Sequence, residues 1–140
     1  MNDIERRFPR HPRSVGRART WLREQASSWR VPDETMETAV LLLSELMTNA
    51  CRHGRVSPGR QIGARCALRQ GALRVEVSDA SSEWPKLKRA TAEDECGRGL
   101  ALVALLARAW DVQPRPYGIG KTVWFELPVN ELPVKHLKHL

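Results

Sequence analysis

Seven apolar residues, Met36, Ala39, Val40, Leu43, Leu46, Met47 and Ala50, recur at intervals of three and four. This is the spacing of one helical face, and so continuous a stripe has to be covered by another layer of structure. Asp33 can cap the helix, and Glu34 and Glu37 put negative charge near its positive end. Gly54 is its expected stop. Upstream, Val15, Ala18, Leu22, Ala26 and Trp29 follow Ser14, a candidate N-cap, and predict a first helix over about 14–29 that Val31-Pro32 ends. Arg6 to Arg13, with Pro9 and Pro12, reads as an extended arm or edge strand.

Past residue 60 the period changes from helical to alternating. Ile62, Ala64, Cys66 and Leu68 share one face, and Gln61, Arg65 and Arg69 the other. Gln70-Gly71 turns the chain into a partner strand with Leu73, Val75 and Val77 pointing inward, a hairpin. Residues 80–96 have no period and are long for a connection, as lids and binding segments are. Leu100 to Trp110 is apolar almost all round and predicts a buried helix opening at Gly97-Arg98-Gly99. Gly118 and Gly120 lead to a last strand, with Val123, Phe125 and Leu127 on one face, that Pro128 terminates. The order predicts an α+β two-layer sandwich with helices on one side of a mixed or antiparallel sheet.

A chain of 140 residues is about one domain's worth. Residues 1–13 are expected to be an arm or edge strand, 14–128 the domain and 129–140 a frayed tail. No apolar run suffices to span a membrane, and Met1 to Arg10 lacks the apolar core of a secretory signal, so a cytoplasmic location is expected. Cys51, Cys66 and Cys96 are odd in number and too far apart for a zinc knuckle or redox pair, which predicts reduced thiols. The net charge is +7, and 18 of the 23 cations are arginine, suited to carboxylates and phosphates. A small nucleic-acid binder would need a helix with a basic face, which the sequence does not offer, so no direct nucleic-acid contact is expected.

Three features stand apart from core building. Glu45 and Asn49 lie one turn apart on the second helix, roughly opposite its apolar stripe. Such a pair is either solvated surface or, with Leu41 and Leu42 beside it, the wall of a pocket. Asp79 has the inward parity of Leu73, Val75 and Val77, so it either opens a turn or needs a donor. Gly97-Arg98-Gly99 at the head of a helix is either a hinge or a site where free N–H groups meet an anion.

In this order the residues resemble the GHKL superfamily of histidine kinase-like ATPases. Leu43-Ser44-Glu45-Leu46-Met47-Thr48-Asn49-Ala50-Cys51-Arg52-His53-Gly54 is similar to the N box. Val75-Glu76-Val77-Ser78-Asp79 resembles the approach to the first glycine box, Gly97-Arg98-Gly99-Leu100 the second, and Gly120 to Pro128 the closing strand. The likeness spans about residues 12–128, and the stand-alone length is most similar to RsbW-type anti-sigma factors, which are serine-protein kinases.

The resemblance implies the Bergerat fold, ATP and Mg2+. It implies Glu45 as the residue that orients or deprotonates the attacking hydroxyl, and Asn49 as the support of the metal. Arg52 would contact phosphate, Asp79 would accept from the adenine amine, and Gly97, Arg98, Gly99 and Leu100 would form the phosphate end of the lid. His53 is either a nucleotide contact or a capping and packing residue, and Thr122 has a weak nucleotide role. The partners implied are a sigma factor and a STAS-type anti-anti-sigma antagonist, with homodimerisation. An alternative is a nucleotide-gated binding protein without phosphotransfer. No phosphoacceptor-histidine helix precedes the domain, so a sensor histidine kinase is not expected. Two departures stand out: the first box reads Asp79-Ala80-Ser81-Ser82-Glu83 where D-x-G-x-G is usual, and Lys121 has the inward parity where relatives often carry a hydroxyl.

Overall fold

The computed structural model describes residues 2–52, 61–80, 95–115 and 120–129; the side chains of 52 and 95–99 lie outside the described set. The elements run β1 (Asp3–Pro9), α1 (Arg13–Ser28), α2 (Asp33–Arg52), β2 (Gln61–Arg69), β3 (Ala72–Asp79), α3 (Glu95–Leu106), β4 (Ala109–Pro114) and β5 (Lys121–Pro128). The strands form one sheet in the order β1-β2-β3-β5-β4. The choice between a mixed and an antiparallel sheet resolves to antiparallel at each of these pairings.

The stripe on α2 is the centre of the molecule. All seven of its residues are buried, and α2 packs across β2, β3 and β5. The strands answer with alternating faces: Ile62, Ala64 and Cys66 on β2, Leu73, Val75 and Val77 on β3, and Val123, Phe125 and Leu127 on β5 all enter the core. Burial pushes the Cys66 thiol up to about 12, so it packs as a small apolar group; it and the half-buried Cys51 are free thiols. The outer sheet face is polar. There Arg74 pairs with Glu76 at 2.9 Å and Glu126 at 3.2 Å and stacks 3.9 Å over the Trp124 ring. In the β2–β3 turn, Gln70 and Gly71 both have positive φ, 52° and 75°, the geometry of a two-residue type I′ hairpin.

Four sequence expectations are corrected. Ser14 does not cap α1. Pro12 holds that position, and the buried Ser14 hydroxyl donates to the Pro9 carbonyl at 2.6 Å, while His11 Nδ1 accepts from Arg13 N–H at 3.0 Å. The helix predicted to run to Trp110 ends at Leu106, and Trp110 belongs to β4, in register with Phe125. An edge strand of six residues carries little alternation to be read locally, and its pairing with β5 decides its state. Nor is α3 buried all round, since Leu105 and Leu106 at its end are exposed. Leu42 belongs to the core, leaving Leu41 as the apolar neighbour of Glu45 on the outer side of α2. Gly54, the 81–94 stretch, Gly118 and the tail from 130 lie outside the described residues.

The expected arm is edge strand β1, in continuous register with β2 from Asp3↔Ala67 to Pro9↔Gln61. Two contacts compete to explain why it stays there. Arg65 makes a bidentate pair with Asp3 at 2.8 and 2.7 Å, which holds the Asp3 carboxyl below the ordinary carboxylate range, but the pair is open to solvent. Such pairs contribute up to about 1 kcal/mol. Phe8 is 1% exposed and packs edge-on against Trp21 with centroids 6.1 Å apart. Phe8→Ala is therefore expected to lower unfolding free energy by about 3–5 kcal/mol, against about 1 kcal/mol or less for Asp3→Ala, as read from denaturant midpoints. Equal effects would show that the ion pair anchors β1.

Candidate functional site

α2 presents two faces. The one opposite the core carries Glu45 and Asn49, both half-buried and one turn apart. Neither side chain hydrogen-bonds to another described residue, whereas neighbouring Ser44 turns its hydroxyl back to the Val40 carbonyl at 2.8 Å. A carboxylate and an amide are thus held at fixed spacing with their polar ends uncommitted within the described protein. Arg52 closes the helix one turn further on, and His53 lies outside the described residues.

The second component is the inner end of β3. Strand parity does turn Asp79 inward, and it is only 5% exposed. An isolated carboxylate there would be strongly destabilised, and the register supplies the cation: Asp79 pairs across the ladder with Lys121, itself 6% exposed. Lys121 Nζ donates to Asp79 Oδ1 at 3.0 Å and to Oδ2 at 3.2 Å. The backbone is tied down as well. Arg115 Nη1 donates to the Asp79 carbonyl at 3.3 Å, and Arg115 N–H to the Gly120 carbonyl at 3.0 Å. Gly120 has φ of 82°, and a Cβ there would overlap the Asp79 carbonyl oxygen and lie 2.7 Å from Ala80 Cα. Glycine is what lets the start of β5 come this close to the end of β3.

The third component is the head of α3. The helix opens at Glu95, two residues before Gly97, so Gly97, Arg98 and Gly99 form its first turns rather than precede it. The first backbone N–H groups of a helix lack intrahelical partners and sit at the positive end of its dipole, which suits an anion. Leu100 is 2% exposed and packs in the main core with Val103, where it anchors the helix.

The structure brings together the carriers of Glu45, Asn49, Asp79 and the glycine segment, since α2 packs on β3, β5 and α3. It does not bring Thr122 to them. Thr122 is on the outer sheet face, 2.7 Å from the Ser78 hydroxyl, because alternation gives the inner position to Lys121. Lys121 is the residue that sequence reasoning left without a role. Its signal was present: an inward-facing lysine on the last strand and an inward-facing aspartate awaiting a donor. Among the described residues no group of three or more His, Cys, Asp or Glu could hold a metal. A single amide oxygen on Asn49 is a donor suited to a hard cation whose remaining ligands are phosphate and water oxygens, so the residues fit magnesium.

An open antiparallel sheet covered by helices, with these groups along one side of α2, defines a two-layer α+β domain of the nucleotide-binding kind. Residues 8–127 match the histidine kinase-like ATPase domain, and the chain belongs to that family, whose ligand is ATP. Among solved structures it is similar to the Erythrobacter litoralis EL346 blue-light activated histidine kinase, at 25% identity and a TM-score of 0.54. That likeness covers 74% of this chain and 33% of that one, so the chain spans about a third of the kinase it matches. The histidine kinase domain from the same protein is similar at 25% identity and a TM-score of 0.48, over 69% of this chain and 45% of that one. No curated protein matches the chain. No helix among the described residues is long and apolar enough to cross a membrane.

Proposed function

We propose that this domain is a Mg2+-dependent serine-protein kinase of the anti-sigma type, which holds a sigma factor and phosphorylates the STAS-type antagonist that would release it. The observation that carries the reading is the Glu45 and Asn49 pair, uncommitted and one turn apart on the half-buried side of α2. Glu45 takes the proton from the partner's serine hydroxyl as that oxygen forms a bond to the γ-phosphorus of ATP and the bond to the β-phosphate oxygen breaks, releasing ADP. Asn49 supplies an amide oxygen to magnesium, which when bound offsets phosphate charge. The first-turn backbone N–H of Gly97 and the Arg52 and Arg98 side chains meet the triphosphate, and Asp79 accepts from the base. The protein's task in such a transfer is positioning more than covalent chemistry.

A surface suited to an acidic partner supports the same reading. Arg6 on β1 and Arg13 and Arg17 on α1 line an open groove of about 540 Å³ together with Trp21 and one carboxylate, Glu24. None of the three forms an ion pair with a described residue, and Arg is the cation best matched to carboxylates. A second copy of the chain is the other partner the family resemblance implies, and sedimentation of the free protein distinguishes the two.

Titration of the protein with ATP and magnesium tests the site. Wild type is expected to bind, and Asn49→Ala to weaken binding by about 10–100-fold. Absence of binding by wild type would overturn the site. The alternative, nucleotide-gated partner binding without transfer, is favoured by one observation: Asp79 is already engaged by Lys121. It predicts ATP binding with no transfer of radiolabel from the γ-position to any STAS-type protein.

A further inference from the structure

The two outer strands of the sheet, β1 and β4, present different edges. Leu68 N–H donates to the Asn2 carbonyl at 2.8 Å, which fixes the hydrogen-bonding phase of the β1–β2 ladder. Ile4, Arg6 and Phe8 therefore turn their backbone groups to β2, and Asp3, Glu5, Arg7 and Pro9 turn theirs outward. The Pro9 carbonyl is taken by His11 N–H and the Ser14 hydroxyl. No described residue bonds to the outward N–H and C=O groups of Asp3, Glu5 and Arg7. On β4 the bond from Arg115 N–H to the Gly120 carbonyl sets the phase in the same way, so Trp110, Val112 and Pro114 face outward. There the Asp111 carboxylate accepts from Val112 N–H at 2.8 Å, and Pro114 has no N–H to give. The edge of β4 is closed to a further strand by these two devices, and the edge of β1 lacks them.

We propose that β1 accepts a further strand, an extended acidic segment of a partner protein that carries a carboxylate at every second residue. This rests on reading the groove beside Arg6 as the partner's seat, and not on nucleotide chemistry. Alternation puts Ile4, Arg6 and Phe8 on the α1 side of the strand. Phe8 is buried against Trp21, and the Arg6 guanidinium stands 5.2 Å over the Phe8 ring. Arg13 and Arg17, exposed and one turn apart on α1, line the same groove. A strand laid along β1 turns alternate side chains to these three guanidinium groups, which have one carboxylate, Glu24, among them. Main-chain bonds to Asp3, Glu5 and Arg7 supply affinity, and the two-residue spacing of the carboxylates supplies selectivity. A second copy of this chain fits less well. Its own β1 would bring Ile4, Arg6 and Phe8 to that side, setting another arginine against a cationic groove.

Fluorescence anisotropy with the full chain at low salt is the test, and the probe is a labelled, end-blocked peptide that alternates threonine with glutamate over the length of β1. Wild type is expected to bind it at least about tenfold more tightly than the same peptide with lysine in place of glutamate. Backbone N-methylation of alternate peptide residues separates strand addition from loose charge attraction. Methylating the set whose N–H groups turn to β1 is expected to cost about tenfold or more, and methylating the other set about twofold or less. In the protein, Arg7→Pro removes an outward N–H at an edge position where proline is tolerated, and is expected to bind about 3–10-fold more weakly than Arg7→Ala, which keeps it. Arg17→Glu is expected to weaken binding of the glutamate peptide by about tenfold. Equal effects of the two methylation sets overturn the proposal, as does a wild type that binds both peptides alike. Should Arg7→Pro not fold, the methylated peptides and Arg17→Glu still decide. A dimer of the free protein that Arg7→Pro dissolves also overturns it, because a second copy then occupies the edge. Failure of the glutamate peptide to bind overturns this proposal and leaves the nucleotide site standing.

Discussion

Glu45→Ala is expected to slow phosphoryl transfer to a STAS-type substrate by about 10²–10⁴-fold, the contribution of a positioned general base. ATP affinity should stay the same or rise slightly, because removing a carboxylate from beside a triphosphate removes a repulsion. The fold should not notice. Glu45 is half-buried with no hydrogen bond to another described residue, it lies mid-helix where alanine is the best helix former, and the core stripe of α2 is on the other side. Loss of transfer with an unchanged melting temperature and retained ATP binding therefore isolates the proton-accepting role. Glu45→Gln, of equal size without basicity, should behave like the alanine variant. Retention of transfer within about tenfold of wild type by either variant would remove Glu45 from the mechanism.

The largest structural effect is expected at Gly120. Alanine there meets two obstacles at once. A φ of 82° disfavours any residue with a Cβ by about 1–2 kcal/mol. That Cβ would also lie against Asp79 and Ala80 backbone, which cannot rotate away as a flexible side chain can. We expect Gly120→Ala to lower unfolding free energy by more than about 3 kcal/mol, beyond the usual range for a single substitution. Because the displaced backbone is that of Asp79, whose carbonyl Arg115 also holds, ATP binding should weaken in any fraction that folds. Gly71→Ala is the control: it also has positive φ, but its Cβ would meet nothing within 4 Å, so it should show the conformational term alone. Equal effects at the two glycines would mean that the close approach of β5 to β3 carries no energetic weight.

Much of this arrangement was legible locally. The α2 stripe named its own buried face, and the same periodicity placed Glu45 and Asn49 together on the other side. The β2–β3 hairpin followed from alternation and from Gln70-Gly71, where both residues take the left-handed conformation a two-residue turn needs. Asp79 was correctly turned inward because side chains on a strand alternate without exception at that parity. What failed locally was the boundary between α3 and β4. Ala109 and Trp110 continue the apolar run of α3 with no stop signal between them, and only hydrogen bonding to β5 makes them part of a strand.

By itself the sequence determined the elements whose faces repeat over many residues: α1, α2, the β2–β3 hairpin and β5. It determined in the same way which face of each is apolar, because that depends on neighbours in the chain. The tertiary structure alone decided relations between distant segments. It set the seating of β1 along β2, the capture of Ala109 to Pro114 as an edge strand, and the register that lays Lys121 across from Asp79, forty-two positions away. Strand pairing is non-local, and a one-residue slip would send Lys121 to the outer face, away from Asp79. The buried Asp79–Lys121 pair exists only because the β3–β5 ladder forms in this register.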